Sequence, residues 1–430
     1  MHSSGGFQRT IGLPQAVALY IGAVLGSGVL IVPGLAAEIA GPASLLAWGL
    51  MALLTFPLAW SMGLLSARYP NAGGVSHFVT LAYGSRAGSL VGWFFLLSVP
   101  IGAPVAALTG AGYMTAAMGW GNPAKLAIAA GMLVLALLVN YIGMKVAGQL
   151  QLIVVLAIIA VLILAIAGAQ PYIDPVHLTP FMPHGWASVG QATAILFWCF
   201  IGWEAVSHLS EEFREPKKAA IQGVTLAAFI VGILYFLTAF AVVGTGSYRG
   251  AASDASLVWV ILKLLGPAGA WVSGITGVFI CTAGIIAYAG AASRLACALS
   301  RQGEAPRWMG RISAKFGTPA GGLAFLTLSS AAVLLLYGSG SVSLAGLIQI
   351  PNATFILTYL GGCAAGMKLL KGSRWGVRVS TLSFLCTLAV FPFVGWAMLY
   401  PLGITTVFWI VVRIRSARAA HPAAGAKTLP

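Results

Sequence analysis

Charged side chains are scarce in this chain of 430 residues. Aspartate, glutamate, lysine and arginine together make up 7% of it, and only eight residues are acidic, whereas an ordinary soluble domain carries about 25% charged residues. Hydrophobic residues reach 59%, and the mean hydropathy is +0.95. The composition excludes an ordinary soluble protein and indicates a polytopic membrane protein.

The sequence also lacks the clusters of side chains on which covalent or metal chemistry depends. Only two carboxylates, Glu38 and Glu204, fall inside or at the edge of an apolar segment, and Glu38 is expected at the outer interface. The cysteines form no CxxC motif and have no ligand spacing, so we interpret them as small buried side chains. An integral-membrane enzyme is therefore a remote alternative, and no cofactor is expected. The five cysteines are Cys199, Cys281, Cys297, Cys363 and Cys386.

Negative charge is so scarce that the formal net charge is +15, but this excess does not indicate a nucleic-acid partner. When the connections between apolar segments are assigned alternately to the two sides, starting from a cytoplasmic N-terminus, only Lys125, Arg249 and Lys263 of the 23 basic residues fall outside. The remaining 20 fall on the cytoplasmic side, as the positive-inside rule requires. The charge therefore predicts topology, with both termini in the cytoplasm.

Long apolar runs are what the sequence has in abundance, and a helix needs roughly 20 apolar residues to span the hydrocarbon core. The fold class predicted is an all-α integral membrane protein with about twelve transmembrane helices. The predicted spans cover residues 12–40, 42–67, 86–117, 124–141, 145–169, 188–209, 219–244, 268–299, 319–338, 342–369, 376–395 and 397–413.

The first five predicted spans form one set, and the sixth to tenth spans form a second set. Because an odd number of spans inverts the second copy relative to the first, residues 12–169 and 188–369 are predicted to form a five-plus-five inverted repeat. Residues 1–11 form a cytoplasmic N-terminus, 376–413 form two further helices, and 414–430 form a cytoplasmic tail that we expect to be disordered.

Glycines interrupt the first span of each predicted repeat. Gly26, Ser27 and Gly28 lie in mid-span in the first, and Gly202 lies within the segment from Phe200 to Glu204 in the second. Unwound backbone is tolerated in a membrane only where it is buried in protein or lines a cavity, and paired broken helices indicate a secondary transporter. Small-residue packing between helices would explain either interruption alone, but not their pairing.

The two breaks predict complementary ends of a binding site. Free amides at the start of the half-helix near Gly28 suit a carboxylate, and free carbonyls at the break from Phe200 to Trp203 suit an ammonium group. An α-amino acid carries both groups. Because no charged side chain flanks the predicted site, a neutral, apolar substrate side chain is favoured. The flanking residues are Ala23, Val24 and Leu25, and Trp198, Cys199, Phe200, Ile201 and Trp203.

Several polar residues near the predicted site have two interpretations. An intramembrane carboxylate is by default a functional hypothesis, so Glu204 is either a proton carrier or a latch to neighbouring helices. Equally, it is a structural carboxylate that accepts hydrogen bonds from freed backbone amides. His77 and His208 are typical of interfacial histidines. The charged loops at 210–218 and 300–318 are solvated connectors or parts of an inner gate.

Four segments of the sequence resemble one known family, the amino acid-polyamine-organocation transporters. GAVLGSGVLIVPG at 22–34 is similar to its first-helix signature, and YPNAGG at 69–74 to the loop that leads to its third helix. FWCFIGWE at 197–204 and the segment from Glu212 to Pro216 resemble its sixth helix and the exit from it. Within the family, YPNAGGVSHF at 69–78 and FWCFIGWEA at 197–205, supported by Ser293–Leu295, resemble in particular the bacterial exporters of methionine and branched-chain amino acids.

The resemblance implies a LeuT-like fold with discontinuous first and sixth helices, located in the bacterial inner membrane. It implies alternating access and export of methionine, leucine, isoleucine and valine. An importer or exchanger of the same fold, coupled to protons or sodium, is the alternative. The substrate site predicted from the breaks and the resemblance together comprises Ala23, Val24, Gly26, Ser27, Gly28, Trp198, Phe200, Ile201, Gly202 and Tyr288. By position, the resemblance implies that Ser27 and Gly28 receive the substrate carboxylate, that Ile201 and Trp198 line the pocket with Trp198 near a gate, and that Tyr288 approaches from the eighth helix. Glu204 is expected to act in coupling or gating.

Coupling through a lysine deep in the fifth span, as the family would suggest, is not supported by this sequence, because residues 150–165 contain no lysine and Lys145 lies at the start of the span. The coupling ion is then H⁺ through Glu204, or Na⁺ bound by backbone with a hydroxyl such as that of Thr282 or Ser293, or exchange proceeds without an ion. The sequence leaves the oligomeric state open.

Overall fold

The computed structural model describes residues 11–26, 28–249, 261 and 265–420, and these are almost entirely helical. Within these residues a single β-bridge joins Ile11 to Phe213. A π-helical turn, Ala219–Gly223, leads into the tenth helix. The helices are α1 Leu13–Val24, α2 Gly28–Ala40, α3 Ser44–Arg68, α4 Gly74–Tyr83, α5 Ser85–Met118, α6 Asn122–Ile142, α7 Met144–Ala169, α8 Gly185–Phe200, α9 Trp203–Ser207, α10 Val224–Gly244, α11 Pro267–Arg301, α12 Ala320–Gly338, α13 Leu344–Leu369, α14 Arg374–Val390 and α15 Leu399–Ala420.

The prediction of an all-helical membrane protein is confirmed. In the described part of the chain, ten continuous stretches are long and apolar enough to cross a membrane. Two of them, Leu13–Arg68 with 56 residues and Arg374–Arg415 with 42, are long enough for two crossings each, because one crossing needs roughly 20 residues. These ten stretches therefore accommodate the twelve predicted spans. The boundaries of the inverted repeat stay a prediction.

Two segments differ from the sequence-based expectation. Residues 74–83, predicted as part of a connecting loop, form α4, whose 10 residues are too short to cross the bilayer. The predicted disordered tail begins too early, because α15 continues to Ala420. Alanine and arginine are strong helix formers, which explains the extension. Residues 421–430 lie outside the described residues.

The helices differ in how deeply they are buried. The most apolar window of the α1–α3 stretch is 94% buried within the protein, whereas that of the α14–α15 stretch is only 22% buried. The broken first span is thus at the core, and the last two helices face the bilayer.

Successive crossings return the ends of α3, α9, α11 and α13 to the same side of the membrane. This side is called the basic side below, because the connections there contain Arg214, Lys217, Arg311 and Lys371.

Candidate functional site

The first helix break separates α1 from α2. Leu25 leaves the helical conformation (φ −72°, ψ 65°) after its N–H bonds to the Ile21 carbonyl, and the Gly26 N–H turns back to the Val24 carbonyl at 2.8 Å. The Tyr235 hydroxyl of α10 also donates to the Val24 carbonyl. Helix α2 begins at Gly28, so its first backbone amides, which have no carbonyl partner within the helix, lie at the break. Ser27 lies outside the described residues.

The second break separates α8 from α9. Ile201 is extended (φ −80°, ψ 156°), and Gly202 has φ 132°, ψ −25°, a conformation that side chains rarely adopt. The last carbonyls of α8, ending at Phe200, therefore lie at this break without a continuing helix to bond them. The sequence prediction that both spans are discontinuous is confirmed.

The two breaks lie against each other. A Cβ atom at Gly202 would lie 2.7 Å from Val24 Cγ2 and 2.8 Å from the Ala23 carbonyl carbon. A Cβ atom at Gly28 would lie 2.6 Å from Cys199 Sγ and 3.0 Å from its Cα. A side chain at either glycine would overlap the facing broken helix, so glycine is needed at both positions. Close packing between the helices and the interruption of the helical backbone therefore occur at the same residues.

A small cavity of about 50 Å³ lies beside the breaks. None of the described residues that line it carries a charged side chain. Small residues and three aromatic rings form most of its wall. The lining residues are Ala23, Val24, Gly26, Gly28, Val99, Gly102, Ala103, Ala106, Trp198, Ile201, Gly284, Ile285, Tyr288 and Phe355.

Seven of the ten residues predicted for the substrate site line this cavity. Phe200 does not, because its place on α8 directs the ring to Tyr235 and Trp48, with centroid distances of 5.1 and 5.9 Å. Gly202 contacts α1 instead of lining the space. The seven are Ala23, Val24, Gly26, Gly28, Trp198, Ile201 and Tyr288. Their role in binding stays a prediction.

Sequence reasoning missed the walls contributed by α5 and α13, and of the α11 wall it predicted only Tyr288. The α5 wall has a recognisable signal, because Pro100 and Pro104 interrupt its hydrogen bonding beside the small residues Gly102 and Ala103. Phe355 on α13 has no such signal in a single sequence. Its ring lies 6.3 Å from that of Trp198 and 5.6 Å from that of Tyr288.

Glu204 is completely buried in the first turn of α9, behind the cavity wall. Its Oε2 accepts the Gly202 N–H at 2.8 Å and the Tyr359 hydroxyl, and its Oε1 accepts the Tyr288 hydroxyl at 3.0 Å. The carboxylate thus bonds a freed backbone amide and ties the second break to α11 and α13. The contact expected of a structural carboxylate and the contacts expected of a latch are both present, and one latch partner, Tyr288, also lines the cavity.

The two hydroxyls predicted as sodium ligands bond within their own helix. Thr282 donates to the Val278 carbonyl at 2.7 Å and lies at an apolar crevice between α6, α7 and α11, apart from the central cavity. Ser293 donates to the Gly290 carbonyl at 3.1 Å. Neither side chain lines the cavity beside the breaks.

The basic side of the site is closed by polar contacts. Arg294 Nε and Glu212 Oε1 form a buried ion pair at 2.7 Å that joins α11 to the segment after α9. Glu211 Oε1 accepts the Ala72 N–H at 3.1 Å. The backbone of Ile11 bonds to Glu212 and Arg214, which ties the start of the chain to the same segment. The connector at 210–218 therefore supplies closing contacts on this side.

His208, expected at an interface, is instead buried, with 1% of its surface exposed, between α4 and α5. Burial lowers its pKa to about 4, and a bond to the Ala72 carbonyl opposes this in part. His77 is half-buried, and burial lowers its pKa while the nearby Glu211 carboxylate raises it. The sequence missed the burial of His208 because α4 was not predicted.

The geometry favours recognition of a small zwitterion over covalent chemistry. Amides at Gly28 offer a positive dipole end, carbonyls at the end of α8 offer a negative one, and an uncharged wall faces both. Such an arrangement is chemically suited to a ligand that carries both a carboxylate and an ammonium group.

Comparison with known proteins identifies the family of this chain. The amino acid permease family model matches residues 11–414. The chain is 37% identical over 398 residues to the uncharacterized amino acid permease YecA of Bacillus subtilis, covering 92% of this chain and 93% of the relative. It is 32% identical over 411 residues to the L-methionine/branched-chain amino acid exporter YjeH of Escherichia coli, covering 95% and 97%.

A third relative is the branched-chain amino acid permease BcaP of Bacillus subtilis, 27% identical over 333 residues, which cover 73% of this chain and 71% of that protein. All three relatives carry names of transporters or permeases, which points to transport and not to an enzyme. The chain therefore belongs to the amino acid permease family of the amino acid-polyamine-organocation superfamily and is a multi-pass membrane transporter of amino acids.

Proposed function

We propose that this transporter moves neutral, apolar L-amino acids, namely methionine, leucine, isoleucine and valine, by alternating access. The observation that carries the proposal is the uncharged cavity at the point where the two broken helices meet. A charged substrate side chain would enter that cavity without a counter-charge, at a cost of several kcal/mol. An apolar side chain meets no such penalty.

The polar ends of the broken helices support binding of the amino acid backbone. In this proposal the substrate carboxylate accepts hydrogen bonds from the amides at Gly28 and Ser27, and the ammonium group faces the carbonyls that end α8. Trp198, Ile201 and Phe355 then surround the substrate side chain. Trp198 also covers the cavity as a gate.

Export is the proposed direction, with the basic side in the cytoplasm of a bacterial cell and the chain in its inner membrane. The name of the Escherichia coli relative, an exporter of methionine and branched-chain amino acids, supports this direction and substrate class. The distribution of Lys and Arg supports the orientation. Coupled import or exchange is the alternative, because alternating access is reversible.

Flux in proteoliposomes tests both substrate and direction. Purified protein is reconstituted in one orientation, and efflux and uptake of labelled methionine, leucine, isoleucine, valine, lysine and glutamate are measured under imposed proton or sodium gradients. We expect transport of the four apolar amino acids and none of lysine or glutamate. Equal transport of lysine would contradict the proposed substrate class. Net movement of the substrate only toward the basic side of the protein would contradict export.

A further inference from the structure

A column of packed rings leads from the cavity to the basic side. Trp198, Phe355 and Tyr288 line the cavity. Phe95 stacks on Tyr288 at 6.1 Å and contacts Phe355 at 5.8 Å, and the His208 ring lies 4.7 Å from Phe95. His208 is the last ring of this column. It lies between the cavity and the polar contacts that close the basic side.

The His208 ring is held against backbone at the start of α4. Its Nδ1 lies 3.1 Å from the Ala72 carbonyl oxygen, which requires a proton on Nδ1. Gly74 has φ 50°, and a Cβ atom there would lie 2.4 Å from Nδ1, so the ring packs directly on the peptide backbone. The His208 ring is thus one of the contacts that join the end of α9 to the start of α4, beside the bond from the Ala72 N–H to Glu211.

The second ring nitrogen is unsatisfied. Within the described part of the chain, Nε2 of His208 is buried and has no hydrogen-bond partner. A neutral ring tolerates this, because Nε2 is then only an acceptor. A protonated ring would bury a positive charge and an unbonded N–H donor, and it would do so at the N-terminus of α4, where the helix dipole disfavours a cation.

The charged and titratable groups on the surrounding elements already have other contacts. None of them, in the residues that the structure describes, bonds to the His208 ring. Among the acidic residues, Glu204 accepts bonds from Tyr288 and Tyr359, Glu211 accepts the Ala72 N–H, and Glu212 pairs with Arg294 of α11. His77 of α4 is near Glu211. Tyr20 of α1 packs on Trp203, and Arg68 of α3 lies over the Tyr69 ring.

We propose that His208 is a proton-operated latch on the basic side of the cavity. The neutral ring holds α9 against the segment from Ala72 to Gly74. Protonation ejects the ring from this contact, so the basic side opens. This role is separate from substrate recognition and from coupling through Glu204.

The sign of the pH response follows from linkage. Burial holds the pKa of His208 at about 4 in the closed form, and a hydrated ring in the open form returns to the ordinary value near 6.5. The open form therefore binds the proton more tightly, and the opening equilibrium rises as pH falls below about 6.5. Between about pH 7.5 and pH 5.0 the expected increase is about 30-fold.

Hydrogen–deuterium exchange tests the latch without any substrate. The full chain in lipid nanodiscs is labelled at the two pH values, and rates are corrected for intrinsic exchange. We expect peptides over 69–76 and 204–214 to exchange about 30-fold faster at the lower pH, while a peptide within α12 does not change. A wild-type protein whose two peptides show no such increase would overturn the proposal.

Three variants identify the group responsible. His208→Gln keeps a donor for the Ala72 carbonyl, and His208→Phe keeps the ring contact with Phe95. Both should lose the pH response, whereas the matched variant His77→Gln should retain it. A wild-type response in His208→Gln, or its loss in His77→Gln, would overturn the assignment. Because no transport is measured, failure of the latch is distinguishable from failure of the proposed function.

Discussion

The two helix breaks that meet at the cavity are built differently. At the first break, Gly26 lines the cavity, and no heavy atom outside its chain neighbours lies within 4 Å of its Cβ position in the described structure. At the second break, Gly202 is enclosed by α1, and a buried carboxylate with two tyrosine partners bonds the opened backbone.

This difference separates two functions of a broken helix. The first break leaves space and polar backbone facing the cavity, which suits contact with a ligand. The second is stabilised by side chains, which suits a fixed hinge whose hydrogen bonds reach α11 and α13. Substitutions at the two breaks should therefore have different consequences for stability and for transport.

The largest effect is expected from Gly202→Ala. The backbone conformation of Gly202 costs an L-residue about 1–3 kcal/mol, and the added methyl group would overlap Val24 and the Ala23 carbonyl. We expect a lower thermal unfolding midpoint and loss of transport in proteoliposomes. Gly403→Ala is the matched control, because a Cβ atom there has open space. Normal stability of Gly202→Ala would contradict the enclosed second break.

A smaller effect, confined to transport, is expected from Gly26→Val. The new side chain occupies the cavity, and a steric clash of about 1–3 kcal/mol with bound methionine corresponds to a loss of kcat/KM of about 5- to 150-fold. Thermal stability should change by no more than about 0.5 kcal/mol, because no packed neighbour surrounds the Cβ position. Unchanged flux in this variant would mean that the substrate does not approach the first break.

Glu204→Gln tests whether the hinge carboxylate also couples transport to protons. The amide places an NH₂ group among three hydrogen-bond donors, so we expect a loss of stability of about 1–3 kcal/mol. Accumulation driven by a pH gradient should disappear, while exchange of labelled for unlabelled methionine continues. Tyr359→Phe removes the two hydrogen bonds that this hydroxyl makes, to Oε2 and from the backbone N–H of Glu204, but keeps the carboxylate and serves as the control. Retained pH-driven accumulation in Glu204→Gln would leave Glu204 with a structural function only.

The sequence predicted the spans and both breaks because apolar length and glycine interruptions are local properties. It did not predict which face of α8 meets the cavity, so Phe200 was assigned to the site although its ring packs on Tyr235. The burial of His208 also depends on a tertiary contact with α4. Positions such as Phe355, which reach the cavity from a distant part of the chain, have no local pattern that reveals them.

The smallest effect is expected from Gly102→Ala, which tests whether the substrate side chain contacts the second broken helix. Trp198 lies on α8 just before the second break, and a Cβ atom at Gly102 of α5 would lie 3.4 Å from its ring. If the substrate side chain packs beside both residues, Gly102→Ala removes room for about one methylene group, worth about 3- to 10-fold in affinity. We expect weaker binding of leucine and methionine relative to valine in competition assays. Gly131→Ala, on an exposed face of α6, should leave this ratio unchanged. An unaltered ratio of leucine and methionine affinity to valine affinity in Gly102→Ala would mean that the substrate side chain does not bind beside Trp198. The first break would then be the main determinant of binding.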